Sequence, residues 1–362
     1  MSDKQRLLVL ASTYPRWPDD PEPGFVHELN RRLASVFDVT VLCPHAAGAK
    51  VHERMDGVDV RRYRYAPAAL ETLVNNGGIN GNLKKSPWKW LLVPAFLLAQ
   101  WWHTVWLIRR LKPNIVHAHW IIPQGLVLSM ARLCTAKVPF VLTSHGADLF
   151  TLKSGMMSQL KAWILKQALF ITVVSEPMRQ QALRLGAAAD RTAVMPMGVG
   201  FERFTPSDDV IRNPHEILFV GRLVEKKGLA YLIRALDRVR HEIPGVQLKV
   251  IGFGPEERAL RKLSIELGLE AHIDFLGPKP QHELIPYYRR AGLFVAPFVE
   301  ALDGDQEGLG LVTIEAAACG CPVLVGDVLA VNGLPVCKVD VTDMNAFASR
   351  LLDMLESHQK RN

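Results

Sequence analysis

Cysteine is scarce in this sequence, and long runs of basic residues are absent. The 362 residues include five cysteines, an odd number scattered mostly through apolar segments, which is typical of reduced thiols in a cytosolic protein. The net charge is +7, yet no five Lys or Arg residues follow one another, so nucleic acid is the least favoured anionic partner. The start of the chain also lacks a basic stretch followed by an apolar one, which predicts no secretory signal.

Composition places the chain among ordinary globular proteins. Apolar residues make up 49% of it and charged residues 22%, which excludes a disordered or fibrous protein. The length favours two domains rather than one. The basic balance leaves an anionic membrane face or an anionic substrate as the partner that charge favours.

Predicted strands and helices alternate along the chain. An apolar strand over residues 6–12, a proline-rich loop ending at Gly24, a helix and a second buried strand form the opening of a doubly wound α/β domain. Residues 196–213 lack periodicity and predict a linker, after which the alternation starts again. We therefore predict an α/β protein of two facing Rossmann-like domains, residues 1–195 and 214–362, with a ligand-binding cleft between them.

The most informative stretch, residues 306–322, reads Q-E-G-L-G-L-V-T-I-E-A-A-A-C-G-C-P. Glu307 stands in a glycine-punctuated loop and Glu315 in an alanine-rich predicted helix, so we expect the two carboxylates to have different roles. The glycines let the backbone approach a ligand, and amides at a helix start attract phosphate. An ordinary strand, loop and helix with a buried alanine face is the alternative. The predicted anion-binding backbone consists of Gly308, Leu309, Gly310 and Leu311.

Two cations and a histidine follow other predicted strand ends. Arg222 and Lys227 follow a predicted strand end, where their side chains can reach a cleft and neutralise a diphosphate. A solvated loop with Glu225 as their partner is the alternative. His145 ends an apolar strand beside a glycine, a position that favours a functional role over a purely structural one.

Residues 91–108 are apolar and contain no Lys, Arg, Asp or Glu. Basic residues flank both ends, and Trp101, Trp102 and Trp106 suit a membrane interface better than a bilayer centre. A helix packed on the sheet, interfacial membrane contact and a short membrane span are the three alternatives. The packed helix is the default interpretation, and Trp101 and Trp102 are the anchors that interfacial contact would use.

Four stretches in a fixed order resemble one enzyme family. They are T-Y-P-R-W-P-D-D-P-E-P-G-F-V from Thr13, S-H-G-A-D-L-F from Ser144, F-V-G-R-L-V-E-K-K-G-L from Phe219, and the stretch with two glutamates eight positions apart. Over residues 6–327 the chain resembles the retaining glycosyltransferases of family 4, which have the two-domain GT-B fold. Its G-D-Q-E-G loop is similar to that of enzymes of exopolysaccharide and lipopolysaccharide assembly.

The resemblance implies a role for each charged candidate. Arg222 and Lys227 would neutralise the diphosphate leaving group in place of a metal ion. His145 would face the donor sugar and stabilise its oxocarbenium-like transition state. Glu307 would hold donor-sugar hydroxyls, and Glu315 would accept hydrogen bonds from the ribose.

Other contacts implied by the resemblance are made by glycines. Gly24 would let the first helix face the diphosphate or the acceptor, and Gly252 and Gly254 would form the turn beneath the base and ribose. His119 is a candidate contact on the acceptor side, whereas Asp148 is well explained as a helix cap.

The implied chemistry is hexosyl transfer without a metal or other cofactor. Asp303 and Asp305 spell D-x-D, a metal-binding motif of a different glycosyltransferase fold, but their place beside phosphate-binding cations predicts an ordinary acidic loop. The implied partners are a nucleoside-diphosphate-sugar donor and a glycan or lipid-linked glycan acceptor. The implied location is the cytoplasm, peripheral on the inner face of the cell membrane. A nucleotide-sugar epimerase of the same fold and a non-catalytic nucleotide-sugar-binding protein are the alternatives.

After Val323 the sequence departs from the family pattern. Relatives carry a further helix that crosses back onto the first domain, whereas residues 327–337 here lead almost directly to one helix at 344–356. The sequence therefore predicts an abbreviated C-terminal domain, and this departure is the basis of the non-catalytic alternative.

Overall fold

The computed structural model describes residues 4–20, 24–75, 78–151, 154–196, 202–302, 304–328, 331 and 336–359. Backbone contacts divide the chain into two compact units, Met1–Met197 and Gly198–Asn362. The predicted linker over residues 196–213 spans this division, and its residues 197–201 lie outside the described part. Each unit is an α/β domain built on a mainly parallel sheet.

Eight strands form the sheet of the first unit within the described residues. They are β1 (Gln5–Leu10), β2 (Phe37–Pro44), β3 (His52–Met55), β4 (Val58–Tyr63), β5 (Ile115–His119), β6 (Phe140–Ser144), β7 (Phe170–Val173) and β8 (Thr192–Val194). Their order is β3-β4-β2-β1-β5-β6-β7-β8, and all pairs are parallel except β3 with β4. The strand order therefore reverses between β1 and β5.

Six strands form the sheet of the second unit over its described ranges. They are β9 (Asn213–Val220), β10 (Gln247–Ile251), β11 (Ile273–Gly277), β12 (Ala291–Ala296), β13 (Val323–Gly326) and β14 (Cys337–Val339). The order β11-β10-β9-β12-β13-β14 is parallel throughout. It is the 3-2-1-4-5-6 order of dinucleotide-binding domains, with the reversal between β9 and β12.

Helices connect the strands. They are α1 (Phe25–Leu33), α2 (Gly78–Lys85), α3 (Leu92–Leu111), α4 (Leu126–Ala131), α5 (Ala147–Phe150), α6 (Gly155–Gln167), α7 (Glu176–Arg184), α8 (Leu229–Glu242), α9 (Glu257–Glu266), α10 (Gln281–Arg290), α11 (Leu311–Ala318) and α12 (Met344–Gln359). The predicted last helix at 344–356 corresponds to α12, which continues three residues further.

Alternating residues of β9 pack into two separate cores. Ile217 and Phe219 face one layer, with side chains of α8 and α12, whereas Leu218 and Val220 face the other, with side chains of α10 and α11. Successive side chains of a strand point to opposite faces, so a strand that is apolar at every position is covered on both. The central strand is thereby fixed, and with it the positions of the loops that follow it.

Helix α3 is packed on one side and exposed on the other. It contacts β2, β4 and α4 and buries Leu92, Phe96 and Gln100. Pro87–Leu111 is long and apolar enough to cross a bilayer, and 33% of its most apolar 18 residues are buried. Core helices of soluble proteins can be equally long and apolar. Trp101, predicted as an interfacial anchor, is half-buried. The exposed apolar side chains of this segment are Trp88, Trp90, Leu91, Leu98, Trp102 and Trp106.

Sequence patterns failed to predict the β3–β4 hairpin. Its turn is Asp56-Gly57, and both residues have positive φ, 46° and 84°, which is the geometry that an Asp-Gly pair favours in a two-residue hairpin. The two strands carry several charged residues, so they do not form the apolar runs that are typical of buried strands. The turn dipeptide was the available signal.

Candidate active site

The loops after β9 and β12 lie side by side at the point where the second sheet reverses its strand order. The amide of Val299 donates to the carbonyl of Lys226 at 3.0 Å. Gly228 has φ +68°, and a Cβ there would lie 1.7 Å from the carbonyl oxygen of Pro297. Only glycine permits this approach. Ligands of open α/β sheets bind at this position, beyond the carboxyl ends of the strands.

An ion pair joins the two loops. The Nζ atom of Lys227 lies 2.7 Å from Oε2 of Glu307, and the two side chains are 14% and 15% exposed. Lys227 Nζ also lies 4.8 Å from the centre of the Phe298 ring, which adds a cation–π contact. Lys227 and Glu307 are 80 positions apart in the sequence, and both were predicted to belong to the same site. The structure brings them into contact.

The charge of Glu307 is held by its surroundings. Burial disfavours the charged form, but the attraction of Lys227 and Lys226 and the hydrogen bonds from Lys227 and from the Gly310 amide outweigh it and lower the pKa to about 2. The Gly310 amide donates to Oε1 of Glu307 at 3.3 Å. This amide, predicted to face a phosphate, is therefore occupied by a carboxylate at the start of α11.

Lys226 has a partner of its own that the sequence did not indicate. Its Nζ lies 3.1 Å from Oδ1 of Asp305 and donates to the carbonyl of Gln306 at 3.2 Å. Glu225, proposed as the partner of the site cations in a solvated loop, accepts from the Leu302 amide at 3.1 Å instead. These contacts secure the loop before Glu307. Asp303, the other half of the D-x-D pair, lies outside the described residues.

Arg222 follows β9 directly and is half-buried. Its loop is held by the segment after β10, because the amide of Leu223 donates to the carbonyl of Phe253 at 2.9 Å. A Cβ at Gly252 would lie 1.9 Å from the Gly221 oxygen, and one at Gly254 would lie 2.3 Å from the Leu223 oxygen. The two glycines predicted to form a turn beneath a ribose therefore let the arginine loop pack against β10.

Glu315 is buried, 4% exposed, on the inner face of α11. Its Oε1 accepts from Gln281 at 2.6 Å and its Oε2 from the hydroxyl of Tyr288 at 2.9 Å. Burial raises the pKa of Glu315, and these two hydrogen bonds oppose the rise. Gln281 and Tyr288, which sequence patterns did not single out, orient the carboxylate predicted to bind ribose.

The corresponding edge of the first unit carries histidines instead of ions. His145 follows β6, and its Nε2 lies 2.9 Å from Nδ1 of His119 at the end of β5. The ring of His117 lies 4.2 Å from that of His119 between ring centres and is tilted by 32°. Burial lowers the pKa of His117 to about 4 and the pKa of His119 well below its usual range. Burial also lowers the pKa of His145 to about 3, and repulsion from His117 makes a smaller contribution to that shift. All three rings are therefore neutral at pH 7.

Aromatic rings surround His145. Phe25 lies 4.9 Å and Trp120 lies 4.7 Å from it between ring centres. Gly24 is the residue before α1, with φ −90°, and a Cβ there would meet Pro15 only at 3.8 Å. The start of α1 thus lies beside His145, but the local geometry does not require glycine at position 24.

Asp148 fastens the backbone around His145. Its carboxylate accepts from the Ile121 amide at 2.7 Å, the Ser144 hydroxyl at 2.8 Å and the His145 amide at 3.3 Å. These bonds tie the ends of β5 and β6 together, so Asp148 has a structural role at the site. Within the described ranges, no group of three or more His, Cys, Asp or Glu residues could hold a metal ion.

Two family models match the chain, one in each unit. The model described as "Glycosyl transferase 4-like domain" matches residues 25–198, and the model described as "Glycosyl transferases group 1" matches residues 203–362. The chain is therefore a glycosyltransferase, and its second unit is the part that matches the group 1 family.

Named members of the family are moderately similar. The GDP-mannose-dependent alpha-(1-6)-phosphatidylinositol monomannoside mannosyltransferase of Mycolicibacterium smegmatis is 29% identical over 248 residues, which is 64% of this chain and 65% of that protein. The amylovoran biosynthesis glycosyltransferase AmsK of Erwinia amylovora is 33% identical over 152 residues, 42% of this chain and 37% of that protein. The matches thus span less than two thirds of these relatives.

Solved structures establish the GT-B fold of this glycosyltransferase. Sucrose-phosphate synthase from Thermosynechococcus elongatus has a TM-score of 0.78 at 20% identity, with 98% of this chain and 90% of that chain covered. Anabaena Alr3699/HepE in complex with UDP has a TM-score of 0.71 at 17% identity, with 98% and 91% covered. The expected fold, two doubly wound parallel-sheet domains, is confirmed.

Substitution of Gly252 tests the close packing of the arginine loop. A methyl group in Gly252→Ala meets a backbone oxygen that cannot move alone, and φ at this position is +141°, so we expect a loss of about 1–3 kcal/mol or more in the free energy of unfolding. Differential scanning calorimetry measures the loss. In the control Gly245→Ala the nearest atom belongs to the His215 side chain, which can rotate away. Equal melting temperatures for both variants would contradict the packing role.

The neutral histidines predict acid sensitivity of the first unit. Their pKa values are lowered on folding, so between pH 6.5 and about 4 the unfolded chain binds protons that the folded chain does not. The free energy of unfolding therefore decreases as the pH falls through this range, by up to about 1.4 kcal/mol per pH unit for each histidine. Urea unfolding followed by tryptophan fluorescence reports this unit alone, since all 8 Trp lie between positions 17 and 163. His117→Asn should flatten the pH dependence, and His241→Asn in the second unit should not. An unchanged slope in His117→Asn would refute the explanation.

Proposed function

We propose that this glycosyltransferase is a retaining, metal-independent enzyme that moves a sugar, of hexose type, from a nucleoside-diphosphate sugar to a glycan or lipid-linked glycan acceptor in cell-surface polysaccharide biosynthesis. The observation that carries the proposal is the ion pair of Lys227 and Glu307, 2.7 Å apart, at the reversal point of the second sheet. It places a cation for phosphate and an acceptor for sugar hydroxyls within one loop pair.

Arg222 and Lys227 provide the charge that a diphosphate leaving group requires. Guanidinium and ammonium groups at a strand end neutralise a developing phosphate charge without proton transfer. Glu315, oriented by Gln281 and Tyr288, is the acceptor for ribose hydroxyls. The UDP complex of the structurally similar Anabaena protein supports a nucleoside diphosphate as the donor leaving group.

The reaction needs no nucleophile from the protein. The acceptor hydroxyl oxygen forms a bond to the anomeric carbon on the face from which the diphosphate leaves, the bond from that carbon to the diphosphate oxygen breaks, and the hydroxyl proton passes to the leaving phosphate. The products are a glycoside of unchanged anomeric configuration and a nucleoside diphosphate. His145 is neutral, so it can contact the sugar without repelling the positive charge that develops there.

The relatives support the class of acceptor. The mycolicibacterial relative is named for transfer from GDP-mannose to a phosphatidylinositol mannoside, and the Erwinia relative is named for amylovoran biosynthesis. A lipid-linked acceptor would require the enzyme to work at a membrane. We therefore propose a cytoplasmic location, peripheral on the inner face of the cell membrane.

The exposed side of α3 and the short helix before it favours membrane contact. Leu98, Trp102 and Trp106 recur every four residues, and Leu91 precedes Leu98 by seven, or about two helical turns. The four are 81% (Leu91), 65% (Leu98), 65% (Trp102) and 41% (Trp106) exposed, and this spacing places them on one face. Lys84 and Lys85 end α2, and Arg109 and Arg110 end α3. An aromatic and apolar stripe with cations at both ends complements the anionic surface of a bilayer.

Calorimetric titration with UDP, GDP, ADP and their sugar conjugates in the presence of EDTA tests the donor site. We expect saturable binding of one nucleotide without metal, weakened at least about tenfold in Arg222→Ala and in Lys227→Ala because a charge-assisted phosphate contact is lost. Lys262→Ala is the matched control, since Lys262 pairs with Glu266 on the surface of α9. Binding that both site variants retain would place the nucleotide elsewhere.

Turnover separates an enzyme from a binding protein. With the nucleotide sugar that binds, the wild type should release free nucleoside diphosphate, and Glu307→Ala should lose most of this release while remaining folded. Proton NMR of the glycoside product should show the anomeric configuration of the donor. Binding without release would favour the non-catalytic alternative, and inversion would exclude the retaining mechanism.

Vesicle sedimentation tests the membrane face. Trp102→Ser with Leu98→Ser should reduce binding to vesicles of phosphatidylcholine and phosphatidylglycerol by about tenfold, because apolar area that enters the interface is removed. Ile265→Ser removes a side chain of similar exposure, 59%, from α9 and should bind as the wild type does. Donor affinity should not change. If the double variant and the Ile265→Ser control bound vesicles equally well, the assignment of this face to membrane contact would be refuted.

A further inference from the structure

His119 is completely buried at the end of β5, with a relative exposure of 0%. The sequence suggested a direct contact with the acceptor, and burial excludes it. Its ring Nδ1 lies 2.9 Å from Nε2 of His145. His119 can therefore act on a ligand only indirectly, and His145 is the ring with which its side chain shares a hydrogen bond.

The local backbone holds the two rings in register. The amide of Trp120 donates to the carbonyl of Thr143 at 2.7 Å, directly across the β5–β6 pair. Trp120 has φ +75°, a conformation that costs energy for a bulky residue and that the surroundings must impose. Asp148 ties Ile121 and His145 from the other side. Backbone hydrogen bonds at the ends of β5 and β6 thus hold His119 and His145 at their 2.9 Å contact.

The positions of protons on the two rings follow from their surroundings. Both rings are neutral, so one proton lies between His119 Nδ1 and His145 Nε2. If His145 donated, the proton of His119 would sit on its Nε2, which is buried and finds no hydrogen-bond partner among the described residues. A buried N–H without an acceptor is rarer than a buried acceptor without a donor. If His119 Nδ1 donates, the buried Nε2 atom of His119 carries only a lone pair.

We propose that His119 is a positioning residue that donates from Nδ1 to Nε2 of His145 and thereby fixes the tautomer of His145 with its proton on Nδ1. His145 is half-buried, and its Nδ1 makes no hydrogen bond within the described part of the chain. That N–H is therefore left for an oxygen of a ligand, which is a donor-sugar hydroxyl if the proposed function holds. In the other tautomer the same position would carry a lone pair, which could accept a hydrogen bond from a hydroxyl group but could not donate one to its oxygen.

Long-range proton–nitrogen NMR of the ¹⁵N-labelled full chain distinguishes a protonated ring nitrogen from a bare one. The signals of His145 are those that vanish in His145→Gln. We expect the wild type to show His145 protonated on Nδ1 at pH 7. His119→Leu should shift His145 towards a mixture of tautomers, and His119→Asn, which keeps a donor at the position of Nδ1, should restore the wild-type form.

His117→Asn is the matched control, because it removes a neighbouring ring that bonds Thr143 and leaves the bond to His145 intact. A wild-type His145 protonated on Nε2 would overturn the proposal, and so would a tautomer that His119→Leu leaves unchanged. The wild-type spectrum and His119→Asn decide the question even if His119→Leu does not fold.

A kinetic measurement connects the tautomer to the proposed function. With the nucleotide sugar identified by calorimetry, His119→Leu should lower kcat for nucleoside diphosphate release roughly tenfold or more with little change in KM, and His119→Asn should recover most of it. Unchanged kcat in His119→Leu would refute the functional part. If no nucleotide sugar binds, the proposed function fails, whereas the NMR result stands by itself.

Discussion

A parallel sheet ends all its strands at one edge, and this constraint gathers the site. Where the strand order reverses, the loops after the two central strands turn to opposite faces and leave a space between them. Both sheets reverse in this way, between β1 and β5 and between β9 and β12. Lys227 and Glu307 meet at 2.7 Å because each lies in a loop after one of two neighbouring strands. The fold therefore determines which residues can act together.

The two edges differ in charge. The edge of the second unit carries Arg222, the pair of Lys227 with Glu307 and the pair of Lys226 with Asp305, whereas the edge of the first carries the neutral rings of His119 and His145. An anion needs cations that stay charged, and a sugar carbon that becomes positive needs neighbours that are not cationic. The edge of the second unit therefore carries the charges that an anionic group needs, whereas the edge of the first unit carries neutral rings.

Sequence patterns predicted the fold and the residues that carry charge, but not their partners. Arg222 and Lys227 could be singled out because they follow an apolar run that ends at a glycine, and Glu307 because it lies in a loop with two glycines. The contact of Gln281 and Tyr288 with Glu315 depends on how α10 packs on α11, which a one-dimensional pattern does not contain. The burial of His119 was hidden for the same reason, since a polar residue at a strand end is exposed in one fold and enclosed in another.

Lys226 and Lys227 show why adjacency in sequence is a poor guide to role. They lie in a short 3₁₀ turn, Glu225–Lys227, in which successive side chains are about 120° apart. One therefore reaches Asp305 and the Gln306 carbonyl, and the other reaches Glu307. The first fixes the base of the loop, and the second balances the carboxylate that faces the site. The two lysines therefore have different roles: Lys226 positions the loop that holds Glu307, and Lys227 pairs with the charge of Glu307.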